Sequence, residues 1–218
     1  MIIGITQRVV INQFGERQDA IDQRWFQLAK MLQVTLLPIP NVLEDPISYL
    51  KTFFVEGVIF SGGNDVAIDS LGLEEQRKLN LAPDRDRTEE LILNYVIEKN
   101  LPLLGVCRGA QFINVCFKGG LVALNADEHV AKDHQIFWRR NDFIELNEPS
   151  FTVNSFHNFG INHHTLSKHC IPLAVTENGE IEAFHHNSAP VLGLLWHPER
   201  YTQHTPHDLR IISQFFGL

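Results

Sequence analysis

The sequence has 218 residues, long enough for one domain with a sizeable core, and 44% of them are apolar and 20% charged, as in ordinary globular proteins. Its formal net charge of −8 argues against broad nucleic-acid binding, and no apolar run approaches the roughly 20 residues that a membrane span requires. Three cysteines without a Cys-x-x-Cys pair indicate neither a disulfide framework nor a zinc site, and a catalytic thiol would suit the reducing cytoplasm.

Strands and helices alternate along the first half of the chain. Apolar runs predict buried strands, over residues 1–6, 34–39 and 57–60. Helical periodicity and helix-start signals predict helices, over residues 20–32, 47–54 and 83–99. Residues 67–82 have little regular pattern, and we expect a surface excursion there. The alternation predicts an α/β fold with a mostly parallel sheet and right-handed crossovers.

The second half continues with the same kinds of element. Residues 101–106 form an apolar run that predicts a buried strand, and residues 110–117 are compatible with a helix. Residues 121–146 have the pattern of short strands and loops. Two further strands and a closing helix are predicted, over residues 180–186, 191–196 and 208–216. No repeat or linker divides the chain, so we predict one domain over residues 1–218.

Cys107 lies where the predicted strand at 101–106 passes into the following helix. Gly105 and Gly109 flank it two residues before and two residues after. A Gly-x-nucleophile-x-Gly turn between strand and helix is a nucleophile elbow, in which small residues let the backbone turn sharply and lift the side chain above the sheet. The helix N-terminus behind it favours a thiolate and an oxyanion. We expect Cys107 to be a nucleophile at the surface, whereas Cys116 and Cys170 fit packed core thiols.

His197 is the best candidate for the base that a nucleophilic cysteine needs. It ends the apolar run at 191–196, and Glu199 follows two residues later. Glu199 could orient the imidazole and hold its tautomer, the role of the third group in a triad. Both groups would then lie with Cys107 at the carboxyl edge of one sheet.

The Ser61-Gly62-Gly63 loop after the third predicted strand has two interpretations. It is a tight turn by composition alone. Alternatively it forms part of an oxyanion hole, because glycines let backbone N–H groups approach a developing alkoxide.

Together these motifs resemble the class I glutamine amidotransferase superfamily, and within it the free-standing γ-glutamyl hydrolases. The resemblance rests on residues 105–111 and 196–199, supported by residues 57–65, 153–158 and Arg85-Asp86. It implies a flavodoxin-like three-layer sandwich. It also implies an oxyanion hole from Arg108 and one of Gly62 and Gly63. The implied substrate-binding residues are Gln111, Arg85, Ser155, Phe156, His157, Asn158 and Phe159.

The resemblance implies hydrolysis of a γ-glutamyl amide-type bond through a thioester, with neither metal nor organic cofactor. The leaving group stays open between γ-aminobutyrate, a polyamine-derived amine, another amino acid and a nucleotide phosphoramidate of capsule or surface-polysaccharide biosynthesis. We favour the phosphoramidate, whose negative charge requires a local cationic patch. The candidates are Arg8, Arg24, Arg85, Arg87, Arg139 and Arg140, with His129 and His134, and we favour Arg85 and the stretch 129–140. The two histidines lack zinc-finger spacing, so no metal site is expected.

Two other functions compete with a free-standing hydrolase. A glutaminase module would use the same triad to pass ammonia to a synthetase, but no synthetase domain is attached here. A non-catalytic binding protein on the same fold is disfavoured by the intact Cys107, His197 and Glu199. We expect a small-molecule substrate and neither nucleic acid nor membrane as a partner, and a homodimer stays open.

Overall fold

The computed structural model describes residues 1–67, 79–125, 130–139, 142–200 and 206–218. Its strands are β1 (Ile2–Thr6), β2 (Arg8–Ile11), β3 (Arg17–Ala20), β4 (Thr35–Ile39), β5 (Gly57–Phe60), β6 (Leu103–Val106), β7 (Val122–Ala123), β8 (Val130–Trp138), β9 (Ser150–Phe156), β10 (Phe159–Gly160), β11 (Cys170–Thr176), β12 (Ile181–His186) and β13 (Val191–Leu194). Its helices are α1 (Arg24–Leu32), α2 (Pro46–Thr52), α3 (Pro83–Lys99), α4 (Arg108–Cys116) and α5 (Pro206–Phe216). Most of the predicted surface excursion at 67–82 lies outside the described residues.

Nine of the described strands form one sheet, in the order β4-β1-β5-β6-β13-β12-β11-β8-β9. The first five are parallel to their neighbours, and the remaining four extend the sheet by antiparallel pairing. The predicted α/β class with a parallel centre is confirmed, and the antiparallel extension is larger than the sequence indicated.

Two layers of helices cover the two faces of this sheet. On one face, α1 and α5 contribute Trp25 and Ile211 to a core cluster. On the other face, α2, α3 and α4 contribute Leu50, Ile92 and Ile113 to a second cluster. The predicted three-layer sandwich is confirmed. None of the helices described is both long and apolar enough to cross a bilayer.

The carboxyl ends of β5, β6 and β13 lie side by side in the parallel half of the sheet. Phe60 is in register with Gly105, and Leu194 is in register with Val106. The segments that follow these three strands therefore emerge at one edge. Ligands of open α/β sheets bind at this carboxyl edge.

The first predicted helix begins four residues later than expected. Residues 20–32 were predicted to be helical, but Ala20 ends the hairpin of β2 and β3, where it pairs with Arg8. The side chain of Asp22 then accepts a hydrogen bond from the backbone N–H of Arg24, at 3.0 Å, at the first turn of α1. An aspartate that bonds the backbone two residues on favours a turn over a helix interior.

Residues 121–146 contain a nine-residue strand, β8, instead of only short strands and loops. Its partner β9 includes most of the segment 153–158, and residues 134 to 137 of β8 pair with residues 150 to 153 of β9. This pairing depends on contacts between distant parts of the chain, which a local pattern does not report.

Candidate active site

Cys107 occupies a strained turn between β6 and α4. Its backbone has φ 52° and ψ −108°, a positive φ that is uncommon for a residue with a side chain. The backbone N–H donates to the carbonyl oxygen of Leu194 at 2.7 Å, which ties the turn to β13. A Cβ at Gly105 would lie 2.8 Å from the backbone nitrogen of Ala110, and one at Gly109 would overlap the backbone of Phe60. Both glycines are therefore required by close approach of the backbone.

The thiol of Cys107 is more enclosed than a surface elbow would make it. Cys107 is 7% exposed and belongs to the core cluster on the α1 and α5 face. This corrects the expectation of a surface side chain. Because the thiol is largely screened from water, its electrostatic contacts with neighbouring groups are stronger than they would be at the surface.

His197 and Glu199 meet behind the cysteine. The Nδ1 atom of His197 lies 2.7 Å from Oε1 of Glu199, and both residues are 2% exposed. The chain turns back after β13 in a short 3-10 turn over Pro198–Arg200, which lets a carboxylate two residues on reach the ring. A carboxylate on Nδ1 leaves Nε2 to face the reacting groups.

The protonation states of Cys107 and His197 depend on two opposing effects. Burial disfavours a charge on either residue, and the opposite charge of the other residue favours it. Burial would raise the pKa of the Cys107 thiol, but the charge of His197 and a hydrogen bond from it lower that pKa below its usual value. Burial likewise opposes a charge on His197, yet Cys107 and Glu199 raise the pKa of the imidazole to about 9. The thiolate of Cys107 and the imidazolium of His197 therefore stabilise each other.

Asn154 of β9 holds the backbone of the histidine. Its side-chain Nδ2 donates to the carbonyl oxygen of His197 at 2.9 Å, and its Oδ1 accepts from the N–H of the same residue at 2.9 Å. This reciprocal pair of hydrogen bonds fixes the backbone of His197 in the segment after β13. Asn154 belongs to the motif segment 153–158, but sequence reasoning did not include it among the site residues.

Two glycines of the loop after β5 are needed for different reasons. A Cβ at Gly62 would lie only 2.6 Å from Cε1 of His197 and 3.5 Å from Cβ of Cys107. Gly63 has φ +85°, a conformation that residues with side chains rarely adopt. The loop therefore lies directly against the cysteine and histidine.

Arg85 lies beneath this loop instead of in the cleft. Its guanidinium donates from Nη1 to the carbonyl oxygens of Gly63, at 2.7 Å, and Gly62, at 3.1 Å. Its Nη2 donates to the carbonyl oxygen of Ser61, and its Nε donates to Oε1 of Glu89 at 2.8 Å. The side chain is fully buried. This corrects the expectation that Arg85 contacts substrate or belongs to an accessible cationic patch.

The side chain of Arg108 joins the same buried network. Its guanidinium forms ion pairs with Asp86 and Glu89, and the Thr6 hydroxyl donates to Glu89 at 2.6 Å. Burial lowers the pKa of both Arg85 and Arg108 to about 9. The Arg108 side chain thus anchors the start of α4, and its backbone N–H stays beside Cys107.

A cleft of about 110 Å³ opens next to Cys107. Its walls are formed by Gly63, Asn64, Asp65, Cys107, Arg108, Gln111, Phe156, His157, Asn158, Phe159, His197 and Arg200. Most of the predicted substrate-binding residues are therefore brought together. Ser155 is fully buried in β9 and does not line the cleft.

The carbonyl oxygen of Phe159 organises one wall of the cleft. It accepts a hydrogen bond from Nε2 of Gln111 at 2.7 Å and lies 3.1 Å from Nδ1 of His157. Behind this wall, the buried carboxylate of Glu182 lies 3.6 Å from Nε2 of His157 and 3.4 Å from Nε2 of His134. Burial opposes a charge on His157, but Glu182 raises its pKa above the usual value.

Of the predicted cationic patch, the histidines and arginines that the structure describes do not line the cleft. His134 pairs with Glu182 behind the wall, Arg24 pairs with Asp22, and Arg87 and Arg139 are exposed elsewhere. His129 and Arg140 lie outside the described residues. In the described ranges no cluster of three or more histidine, cysteine or acidic residues could hold a metal ion.

The sequence matches one protein family along most of its length. The Peptidase C26 family model matches residues 1–199. The chain belongs to the peptidase C26 family. The predicted resemblance to class I glutamine amidotransferases and the predicted enzyme class, an amide-bond hydrolase of this type, are therefore confirmed.

Relatives of this peptidase C26 protein match it along nearly the whole chain. The γ-glutamyl-CDP-amidate hydrolase of Campylobacter jejuni is 32% identical, covering 100% of this chain and 98% of its own. A glutamine-hydrolysing GMP synthase subunit of Methanosarcina acetivorans is 26% identical, covering 95% and 94%. A solved structure from Thermoplasma acidophilum, of a candidate GMP synthase subunit, has a TM-score of 0.69 at 21% identity, covering 100% and 92%. At this identity the likeness supports the fold and says nothing about function.

Two further side chains of this peptidase C26 protein were missed by the sequence reasoning. The guanidinium of Arg200 lies 4.4 Å from the ring centre of Phe156, and that ring contacts His197 edge-on at 5.9 Å. Glu182 is buried beneath the cleft wall. The position of Arg200 directly after Glu199 was an available signal, whereas Glu182 lies in a strand without any motif.

Proposed function

We propose that this peptidase C26 protein hydrolyses γ-glutamyl amide-type bonds, with Cys107 as nucleophile, His197 as acid and base, and Glu199 as the group that orients His197. The observation that carries the proposal is the strained turn of Cys107, hydrogen-bonded to an imidazole whose other nitrogen is 2.7 Å from a buried carboxylate. A nucleophile next to a base, with a third group that orients the base, is the arrangement that enzymes use for covalent acyl transfer.

In the first half of the reaction the Cys107 thiolate attacks the γ-carbonyl carbon and forms the Sγ–C bond. The carbonyl oxygen becomes an oxyanion, which accepts hydrogen bonds from the backbone N–H groups of Arg108 and the Gly62-Gly63 loop. As this intermediate collapses, the C–N bond breaks and the imidazolium of His197 gives its proton to the departing nitrogen. Loss of one oxyanion donor in comparable enzymes costs about 2.7–4 kcal/mol of transition-state stabilisation.

In the second half water hydrolyses the γ-glutamyl thioester. Neutral His197 accepts a proton from the water, whose oxygen attacks the carbonyl carbon. The S–C bond then breaks, which releases glutamate and restores the thiolate beside an imidazolium. No step calls on a metal or an organic cofactor.

The cleft supplies a place for the glutamyl half of the substrate. Gln111 and the segment from Phe156 to Phe159 line it, and they belong to the set Gln111 and Ser155 to Phe159 that the family resemblance implies for holding the glutamate end. Asp65 also lines the cleft and provides a carboxylate that complements the α-ammonium group of a glutamyl substrate. A cleft of about 110 Å³ suits this small half, so the leaving group extends towards the opening.

For the leaving group we propose a nucleotide phosphoramidate, by likeness to the Campylobacter jejuni relative whose name states γ-glutamyl-CDP-amidate as substrate. A role in surface-polysaccharide biosynthesis and a cytoplasmic location go with that proposal. The test offers purified protein a panel of γ-glutamyl-CDP-amidate, γ-glutamyl-GABA, other γ-glutamyl amines and glutamine, and measures released glutamate. A higher kcat/KM for γ-glutamyl-GABA than for the phosphoramidate would contradict the proposed leaving group, and no release from any compound would contradict the hydrolase.

A glutaminase component of a synthetase is the second candidate function. The 26% identity to the glutamine-hydrolysing GMP synthase relative, along 95% of this chain, favours it. Such a component would release ammonia from glutamine mainly when its synthetase is present. Glutamine hydrolysis that rises on addition of a co-purified synthetase would support this function, and γ-glutamyl-CDP-amidate turnover by the protein alone would speak against it. The single domain over residues 1–218 and a homodimer stay predictions.

A further inference from the structure

Arg8 and Arg200 lie on two walls of a small recess beside His197, and Arg200 also lines the glutamyl cleft. The recess measures about 20 Å³, and Trp25, Gly62 and Glu199 contribute to its other walls. Within the described part of the chain, no hydrogen bond from either guanidinium is formed, and Nε of each is buried without a partner. Two arginines with unused donors therefore converge next to the base.

The acidic groups at this recess already have cationic partners. The carboxylate of Asp22 accepts hydrogen bonds from Nε and Nη2 of Arg24, at 3.0 and 2.6 Å. Oε1 of Glu199 binds His197 at 2.7 Å and lies 3.8 Å from Nε of Arg200. The carboxylates are thus matched by Arg24 and the imidazolium. Arg8 forms no salt bridge in the described ranges, although its charge helps to lower the pKa of Asp22.

Both arginines are held in place by packing along their side chains. The methylene groups of Arg8 lie against Gly63, where an added Cβ would come within 3.0 Å of Cδ. The guanidinium of Arg200 stacks on Phe156 at 4.4 Å. A guanidinium that is already ordered loses less conformational entropy when it binds an anion, and its fork geometry matches the oxygens of phosphate.

The recess adjoins the glutamyl cleft at His197. His197 lines both the glutamyl cleft and the recess, and it protonates the nitrogen that leaves. Arg200 also lines both, so an atom attached to that nitrogen can lie between the cleft and the recess, beside the guanidinium. A volume of about 20 Å³ holds one water-sized group, so an oxygen atom fits and a nucleoside does not.

We propose that Arg8 and Arg200 form an anion subsite that binds a phosphoryl oxygen of the phosphorus group attached to the scissile nitrogen of a phosphoramidate substrate. This inference rests on the proposed hydrolase function and names the residues that select its leaving group. Of the arginines expected from the sequence to form a cationic patch, it selects Arg8, in place of Arg85 and the described part of the stretch 129–140. The remainder of the leaving group extends into solvent, so the subsite recognises phosphate and not the base.

The first experiment compares selectivity, defined as the ratio of kcat/KM for γ-glutamyl-CDP-amidate to that for γ-glutamyl-GABA. We expect Arg8→Gln and Arg200→Gln each to lower this ratio by about tenfold or more, the usual loss for a hydrogen bond to a charged group. Arg8→Lys keeps the charge without the fork and should lower it less. Arg87→Gln, at an exposed arginine outside the cleft, is the matched control and should leave the ratio unchanged.

An equal loss on both substrates would overturn the subsite for the arginine concerned, because that arginine would then serve the glutamyl half. An unchanged ratio in Arg8→Gln would overturn it as well. Melting temperatures of all variants identify any that fail to fold, and Arg8→Lys provides the test if Arg8→Gln does not fold.

The second experiment measures binding and does not depend on turnover. Titration calorimetry of the intact protein with CDP, inorganic phosphate and cytidine should give binding of CDP and phosphate that weakens in Arg8→Gln, and no binding of cytidine. If the protein binds CDP through Arg8 but has no hydrolase activity, the subsite is supported and the proposed function is rejected. Hydrolase activity together with CDP binding indifferent to both arginines would reject the subsite alone.

Discussion

The Nη1 atom of Arg85 donates a hydrogen bond to the carbonyl oxygen of Gly63 at 2.7 Å, from beneath the loop that faces Cys107. The same guanidinium also holds the carbonyl oxygens of Ser61 and Gly62. In a trans peptide the C=O and the following N–H point in opposite directions. Holding these carbonyls downward therefore turns the N–H groups of Gly62 and Gly63 away from Arg85, so we infer that this buried arginine orders the oxyanion loop.

Arg85→Lys should lower kcat by about a hundredfold with little change in KM. The lysine keeps a positive charge beside Glu89 but cannot hold three successive carbonyls, and loss of one oxyanion donor elsewhere costs 10²–10³ in kcat, or about 2.7–4 kcal/mol. Steady-state kinetics on a γ-glutamyl substrate measures the effect, with exposed Arg87→Lys as control. A rise in KM at unchanged kcat would show that Arg85 contacts substrate after all.

Cys107→Ala should abolish turnover, because a covalent route has no path without its nucleophile. Cys116→Ala and Cys170→Ala should keep turnover, since burial raises the pKa of each of these thiols to about 12 and neither lines the cleft. Glutamate release and labelling by a thiol reagent measure both effects. Residual activity above about a hundredth of wild type in Cys107→Ala would remove Cys107 as nucleophile.

Glu199→Gln should shift the alkaline limb of the kcat/KM profile to lower pH. Cys107 and Glu199 raise the pKa of His197 to about 9, so activity of the thiolate–imidazolium pair should fall as pH rises through that value. Removing the carboxylate removes one interaction that favours the protonated ring, and the pKa of His197 then decreases. Rates measured from acidic to alkaline pH, across that value, report the shift.

His197→Ala should lose more activity than Glu199→Gln, because the imidazole moves protons whereas the carboxylate orients it. Equal losses would mean that Glu199 does more than orient the ring. A wild-type profile in Glu199→Gln would exclude Glu199 from the site.

Gly62→Ala should lower kcat by about a hundredfold without unfolding the protein. The new Cβ would lie 2.6 Å from Cε1 of His197, so the ring must move, and a displacement near 1 Å costs about that factor in rate. Gly120→Ala is the matched control, because its Cβ would make only ordinary contacts, at 3.7 Å. Equal rates in the two variants would show that the loop shifts to make room for the new Cβ and that the ring of His197 stays in place.

The short motifs of the sequence determined the parts of the site whose geometry is local. Gly105 and Gly109 bracket Cys107 because a strand-to-helix turn leaves no room for a Cβ two residues away on either side. Glu199 reaches His197 because the chain turns within two residues. The alternation of apolar runs and helical periodicity was enough for the parallel half of the sheet, since each of those elements has its own pattern.

Only the tertiary structure decided which distant side chains meet. Asn154 and His197 are 43 residues apart, and Arg85 contacts a loop 22 to 24 residues earlier. The sequence marked Arg85 as near the site, but whether its guanidinium faces substrate or a buried carbonyl depends on how α3 packs beneath β5. The β2–β3 hairpin and the antiparallel strands likewise form by pairing between segments. Such contacts carry no local signal, because their energy comes from burial and hydrogen bonds that exist only once the chain has folded.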